Sequence, residues 1–267
     1  MDIYSENDVV TLRHLINAEE QDSLVSELAA ELALEVVAQS EDELALRWSG
    51  ERLSLHFPQQ QQGDVFVDFV GGAMQYRVKH GGGFGQAVAK ACGLSPRVLP
   101  KVLDMTAGLG RDGFVLASLG SEVTLVERQP IVHALLADGL KRASVSEEAQ
   151  AIAQRLSLVK ADASELALQP FEVVYLDPMF PERKKSAAVK KEMTAFHQLV
   201  GTDDDADILL TKALELASHR VVVKRPKGAP FLANRKPSQS LTGKSGRFDI
   251  YAIRSMAPGK FRSSDGE

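Results

Sequence analysis

The residues best suited to chemistry lie in the run Val173 to Pro181, VVYLDPMFP. An apolar stretch ends in Asp177-Pro178-Met179-Phe180-Pro181. The amino nitrogen of a nucleobase is a poor nucleophile, because its lone pair is delocalised into the ring. A carboxylate at Asp177 can accept a hydrogen bond from one N–H, and the Pro178 carbonyl can accept a second. Together they would draw the nitrogen toward tetrahedral geometry and aim its lone pair at an electrophile. Phe180 offers a flat face on which an extruded base could stack. The plainer alternative is a strand-to-loop turn stiffened by two prolines, with Phe180 in the core. A location at the end of an apolar run favours the site, since open α/β sheets bind ligands there.

A second constellation runs from Lys101 to Arg128, KVLDMTAGLGRDGFVLASLGSEVTLVER. An apolar run ends in Asp104, a turn carries Gly108, Gly110 and Gly113, a helical pattern follows, and a second apolar run ends in Glu127. The glycines allow a sharp turn and close approach of backbone to ligand. Glu127 can accept both hydroxyl protons of a ribose. Gly108-x-Gly110-x-x-Gly113 matches the dinucleotide fingerprint literally, and that spacing alone is weak evidence. Asp104 favours a methyl donor over a dinucleotide. A carboxylate at that strand tip would repel a pyrophosphate, but it suits the ammonium end of a methionine moiety. Arg111 and Asp112 add both signs of charge to the same turn. The expected cofactor is S-adenosylmethionine.

Basic residues cluster near both constellations. Arg183, Lys184 and Lys185 follow the DPMFP motif, with Lys190 and Lys191 just beyond, and Lys224 and Arg225 close the apolar run VVVKRP. Beside a base-flipping pocket these are expected to meet phosphates of a nucleic acid. The overall charge of −5 hides an asymmetry. Residues 1–64 hold 14 acidic and 3 basic residues, whereas residues 219–262 hold 11 basic and 1 acidic, so a polyanion is expected to dock on the C-terminal part. Cys92 is the only cysteine and the six histidines show no ligand spacing, so neither a disulfide nor a metal centre is expected. No serine elbow or cysteine–histidine pairing is present. Gly243-Lys244-Ser245 has Ser238 where a phosphate-binding P-loop needs its first glycine.

These side chains need a sheet to hold them. From residue 101 onward apolar strand patterns (101–104, 122–126, 156–160, 172–176, 219–224) alternate with helical ones (111–119, 129–143, 146–154, 190–200, 205–217). Such alternation implies a mostly parallel sheet covered by helices. The end differs, because SLTGKSGRFDIYAIR reads as two strands around a Gly-Lys-Ser-Gly turn. The expected fold class is therefore α/β, a Rossmann-like seven-stranded sheet with an antiparallel C-terminal hairpin, of the class I methyltransferase layout.

Three segments are expected: a small α+β lobe over 1–63, a glycine-rich connection over 64–100, and the cofactor-binding domain over 101–267. In the lobe, Leu24 to Val37 has helical spacing, and LALRWSG and RLSLHF alternate as a strand pair turning at Ser49-Gly50. Trp48 reads as core. DVFVDFVGG (64–72) reads as a strand. Gly81-Gly82-Gly83-x-Gly85 precedes a helical run and sits beside Arg77, Lys79 and His80, which suits ligand or nucleic-acid contact, or else a hinge. With 44% hydrophobic and 25% charged residues the composition is that of a globular chain. Its apolar runs are too short for a membrane span, and no secretory leader is legible, so a cytoplasmic location is expected.

The motifs taken together resemble a known family. Asp177-Pro178-Met179-Phe180 is similar to the Asp/Asn-Pro-Pro-Tyr/Phe signature of enzymes that methylate base amino groups, with Met179 in place of the second proline. DFVGGAMQYRVKHGGGFGQAVAKA, DMTAGLGRDGFVLASLG, VVYLDPMFPERKKSAAVKKEM, VVVKRP and GRFDIYA resemble the ribosomal RNA small subunit methyltransferase J family over about residues 64–254. The resemblance implies transfer of a methyl group from S-adenosylmethionine to guanine N2 in small-subunit ribosomal RNA, naked or in the 30S particle. It also implies cofactor contacts at Arg111, Asp112, Glu127, Arg128, Asp162, Ala163 and Asp177. Asp162 and Ala163 stand where some members carry serines, and an aspartate there still suits the adenine amino group. Three rivals stay open on residues alone: a DNA adenine-N6 or cytosine-N4 methyltransferase, a nicotinamide-dependent oxidoreductase, and a non-catalytic RNA-binding protein on the same scaffold.

Overall fold

The fold is that of a computed structural model, which describes residues 11–17, 23–42, 44–58, 63–167, 170–179, 199, 206–243 and 246–256. The chain divides into two compact units. The larger comprises residues 68–128, 140–178 and 204–267. It contains a seven-stranded sheet of β5 (Val102–Asp104), β6 (Val123–Glu127), β7 (Leu156–Lys160), β8 (Phe171–Leu176), β9 (Ala217–Pro226), β10 (Gln239–Thr242) and β11 (Gly246–Ala252). The spatial order is β10-β11-β9-β8-β5-β6-β7. Strands β5 to β9 pair in parallel, and β11 pairs antiparallel with both β9 and β10.

The parallel strands are where they are because of what they bury. Val102, Leu103, Val123, Leu125, Val126, Val173, Val174, Leu176 and Val221 to Val223 are all buried. Consecutive buried positions mean that both faces of the central strands are covered, as a parallel sheet requires. Helix α4 (Arg111–Ser118) packs on β6 and β7, α3 (Ala87–Cys92) on β9 and β11, and the helix Ala206–Leu216 (α7 here) on β8 and β9. Phe69 stacks on Phe114 of α4 with ring centroids 4.4 Å apart. Gly113 lets α4 come close, since an added Cβ would lie 2.4 Å from Leu125 Cδ2. Between α4 and β8 run α5 (Pro130–Ser144) and the short α6 (Gln150–Ala153).

The smaller unit comprises residues 1–67, 129–139 and 179–203. Its sheet has the order β2-β1-β3-β4, from β1 (His14–Asn17), β2 (Glu35–Val37), β3 (Ala45–Trp48) and β4 (Leu53–His56). The antiparallel pair β3–β4 turns at Ser49-Gly50, with Gly50 at φ 84°. Asp138 accepts the Leu53 N–H at 3.2 Å.

Several sequence expectations change. The helix expected over 24–37 is α1 (Ser23–Leu32) only. Ala33 adopts φ 55°, and Glu35–Val37 pairs in parallel with β1, where β-branched Val36 and Val37 fit better than in a helix. The strand expected over 64–72 reduces to one bridge between Val65 and Leu55. Asp68 stops it by accepting the N–H groups of Val70 and Gly71, at 3.1 and 2.8 Å. The segment after it is helix α2 (Gly72–His80), which the sequence pattern does not announce. The helix expected over 146–154 is confined to Gln150–Ala153. The one expected over 190–200 lies outside the described residues, apart from Leu199.

Candidate active site

The candidate residues converge at the C-terminal ends of the parallel strands. Strand β5 lies between β6 and β8, so the chain order reverses there and opens a crevice beyond the strand tips. Asp104 ends β5 opposite Leu125 on one side and Tyr175 on the other. Glu127 ends β6, and Asp177 follows β8.

The glycine turn is built around Glu127. Its Oε2 accepts the Gly108 N–H at 2.9 Å, and Val126 O accepts the Ala107 N–H at 3.0 Å. Gly108 and Gly110 have φ of 54° and 69°, a region that disfavours residues with a Cβ. Nothing lies within 4 Å of a Cβ added at Gly108, so this turn faces open space on its outer side. Gly110 caps α4, whose first turn carries exposed Arg111 and largely buried Asp112.

Asp104 is 2% exposed, and its Oδ1 accepts the Thr106 N–H at 3.2 Å. Burial pushes its carboxyl well above the usual range; the Thr106 N–H and Lys224 pull it down, and Asp112 and Asp177 add to the rise. A site shaped for a cation has this character, because an incoming ammonium would offset both burial and repulsion. An acidic strand tip at Glu127, an open left-handed glycine turn and a buried carboxyl at Asp104 have the character that S-adenosylmethionine requires. Arg128 lies 3.6 Å from Asp162 after β7, and Asp162 also accepts the Ser164 N–H and hydroxyl, which holds its carboxyl low. Ala163 beside it is buried.

On the other side of β5 lies a charged network. Arg77 of α2 donates to Asp112 Oδ1 at 2.6 Å. Tyr175 Oη donates to Asp112 Oδ2 at 2.7 Å. Lys224 Nζ reaches Asp112 Oδ2 at 3.0 Å and Asp177 Oδ2 at 2.7 Å. Burial alone would raise the Asp112 carboxyl, but Lys224 and Arg77 bring it down to about 2. Tyr175 is pushed up by burial and then by Asp112, so it stays a neutral donor. The Asp177 N–H donates to the Thr106 hydroxyl at 2.6 Å, which ties the DPMFP turn to the β5 turn. The Asp177 side chain is 39% exposed, and Pro178 next to it is buried.

Not every candidate joins this cluster. Phe180, Arg183, Lys184, Lys185, Lys190 and Lys191 lie outside the described residues. Arg225 departs from the expectation of phosphate contact. It is 4% exposed and donates to Pro230 O at 2.7 Å, because successive side chains of β9 point to opposite faces and Lys224 takes the crevice side. Lys224 sits between two carboxylates rather than on an open basic edge. Thr106 and Tyr175 were not singled out in the sequence. Both lie within two residues of a strand-tip aspartate, and that adjacency is the signal that could have found them.

The strand order, the glycine turn and the acidic strand tips define an S-adenosylmethionine-dependent methyltransferase. The SAM-dependent methyltransferase family model, SAM_MT, matches residues 27–253. The SAM-dependent methyltransferase NGO1261 from Neisseria gonorrhoeae superposes with a TM-score of 0.71 at 37% identity, covering 96% of this chain and all of that one. The chain belongs to the ribosomal RNA small subunit methyltransferase J family. It is 51% identical to the member from Hahella chejuensis over 90% of this chain and 94% of that protein. It is 53% identical to the member from Pseudomonas aeruginosa strain UCBPP-PA14 over 86% and 90%. Among the described residues, no helix is long and apolar enough to cross a membrane, and no three acidic, histidine or cysteine residues group to hold a metal ion.

Proposed function

We propose that the protein methylates the exocyclic N2 of a guanine in small-subunit ribosomal RNA. The observation that carries this reading is Asp177, a half-exposed carboxylate just after β8 inside an Asp-Pro-Met-Phe motif, its carboxylate held by Lys224 and its backbone N–H by the Thr106 hydroxyl. The family's printed name supplies the ribosomal RNA, and the motif supplies the amine. Membership of the family also favours a cytoplasmic location, where ribosomal RNA is processed.

Bound S-adenosylmethionine supplies a methyl group already activated on a sulfonium, so that the N–C bond forms as the C–S bond breaks, sulfur keeps the electron pair and the amine gives up one proton to solvent. The chain's own task is orientation and placement. Glu127 receives the ribose hydroxyls, Asp104 the ammonium, and Asp162 the adenine amino group. The open turn at Gly108 and Gly110 lets backbone approach the donor, and Arg111, Asp112, Arg128 and Ala163 shape its surroundings. Asp177 and the Pro178 carbonyl accept hydrogen bonds from the two amine N–H groups and turn the lone pair toward the methyl carbon. Phe180 stacks the extruded guanine. Arg183, Lys184, Lys185, Lys190 and Lys191 hold phosphates on either side of it.

A labelled-methyl assay on purified small-subunit ribosomal RNA, intact 30S particles and duplex DNA tests the reading. Incorporation on guanine N2 of either RNA substrate and none on DNA is expected, and Asp177→Ala should abolish it while circular dichroism shows the fold intact. Full activity of that variant, or methylation of DNA alone, would sink the assignment. A nicotinamide-dependent oxidoreductase is ruled out by family membership.

A further inference from the structure

Lys224 was expected from the sequence to meet RNA phosphates, and its surroundings point elsewhere. Its Nζ lies 2.7 Å from Asp177 Oδ2 and 3.0 Å from Asp112 Oδ2. Asp112 is itself fixed from two other elements, by Arg77 of α2 through Oδ1 and by Tyr175 of β8 through Oδ2. The chain of charges Arg77, Asp112, Lys224, Asp177 alternates in sign and is anchored at its inner end by a phenol that stays neutral.

We propose that Lys224 is the positioning residue for Asp177. It presents the Asp177 carboxylate to the target amine ionised and in one direction, and it makes no essential phosphate contact. The proposal rests on the reading that Asp177 receives the amine. The physical reason is a count of charges. Three carboxyl groups from three elements face this end of the crevice: Asp104 from β5, Asp112 from α4 and Asp177 after β8. Among the described residues, Arg77 and Lys224 form ion pairs with this group. Cys92 of α3 also lies beside Asp112, and burial pushes its thiol up so that it stays neutral. Removing Lys224 takes away an ammonium 2.7 Å from Asp177 while the carboxyls of Asp104 and Asp112 stay, and loss of a nearby cation favours the protonated form of a carboxyl. A protonated Asp177 donates where it should accept, and the guanine amine would lose the partner that turns its lone pair. In the intact protein burial alone would lower the Lys224 ammonium, but Asp177 and Asp112 outweigh it and hold it above its ordinary range, so Lys224 stays a cation.

Full-length protein carrying Lys224→Met, Lys224→Arg or Asp177→Ala, assayed on small-subunit ribosomal RNA as a function of pH and salt, separates the alternatives. Calorimetric binding of S-adenosylhomocysteine reports whether each variant is folded. For Lys224→Met, kcat should fall by on the order of a hundredfold, the size of effect typical of losing a positioned proton-handling group. The acid limb of its pH profile should move to higher pH, while KM for RNA and its salt dependence stay as in the wild type. Lys224→Arg should recover part of kcat and keep the acid limb in place. Retained kcat with a raised KM and a shallower salt dependence would overturn the proposal in favour of a phosphate contact. A fall in kcat with an unmoved acid limb and no rescue by arginine would overturn it in favour of a purely structural role. If Lys224→Met does not bind S-adenosylhomocysteine, Lys224→Arg alone decides, because a displaced acid limb there also overturns it. Activity of Asp177→Ala would overturn the underlying reading and is distinguishable from all of these.

Discussion

Glu127 at the tip of β6 accepts the backbone N–H of Gly108 at 2.9 Å. One carboxylate oxygen therefore fastens the glycine turn to the sheet, and the group stands at the edge of the crevice beyond the strand tips. Glu127→Ala should weaken S-adenosylmethionine binding by about ten- to a hundredfold in calorimetry, since a hydrogen bond to a charged group contributes roughly 1.5–3 kcal/mol. Glu127→Gln keeps an acceptor for Gly108 and should lose less. Unchanged affinity in both would remove Glu127 from the ribose.

Asp104 carries a pH dependence whose sign follows from its burial. Its carboxyl is raised in the folded protein, so its contribution to stability is fully present below the ordinary carboxylate range and is lost as pH rises through the folded value. Asp104→Asn should therefore unfold at a higher temperature than the wild type at neutral pH, with the gap closing in acid. The same variant should bind S-adenosylmethionine at least about tenfold more weakly, because an amide cannot offset the ammonium charge. Equal melting temperatures at neutral pH would contradict the burial argument.

Asp112 has the opposite sign. Lys224 and Arg77 hold its carboxyl at about 2 against an ordinary 3.8, so the stability it contributes is present above the ordinary value and is lost as pH falls toward about 2. That shift corresponds to on the order of 2 kcal/mol at neutral pH. Asp112→Asn should lower the melting temperature at pH 7, and acid titration of both proteins should show the difference shrinking below pH 4.

Gly113→Ala probes the packing of α4 on β6. The new Cβ would stand 2.4 Å from Leu125 Cδ2, so the buried Leu125 side chain or the helix itself must shift. Overpacking of this kind costs about 1–3 kcal/mol. Chemical denaturation should show that loss.

The basic residues should separate into two groups. Alanine at Arg183, Lys184 and Lys185 together should weaken RNA binding and reduce the slope of log affinity against log salt by roughly three. Arg225→Ala should leave that slope alone and lower thermal stability instead, since Arg225 is buried and bonded to the Pro230 carbonyl. A changed salt slope for Arg225→Ala would restore it to the RNA-facing surface.

Much of the larger unit was readable in advance. Parallel strands buried on both faces need uninterrupted apolar runs, and VLD, VTLVE, VVYL and VVV are such runs. Glycines at positive φ and a hairpin turn also leave local marks. The smaller unit was harder to read. Whether Glu35–Val37 continues α1 or leaves it depends on β1 lying alongside, which is a contact and not a local preference. Likewise Asp68 ended the expected strand through a local side-chain bond that competes with the ladder.

The sequence by itself determined which residue types stand at the strand ends: Asp104, Glu127 and Asp177 each close or follow an apolar run, and those carboxylates are what the proposed cofactor and amine contacts rest on. It also determined that a parallel sheet would set them along one edge, since residue type and spacing along a strand are local facts. Only the tertiary structure decided how these charges are paired. Adjacent residues Lys224 and Arg225 look alike in sequence, yet the alternation of β9 sends one to the two aspartates and buries the other against a carbonyl. Electrostatic roles depend on distance and burial across elements far apart in the chain, so Arg77, Asp112, Tyr175, Asp177 and Lys224 acquire theirs only when α2, α4, β8 and β9 meet.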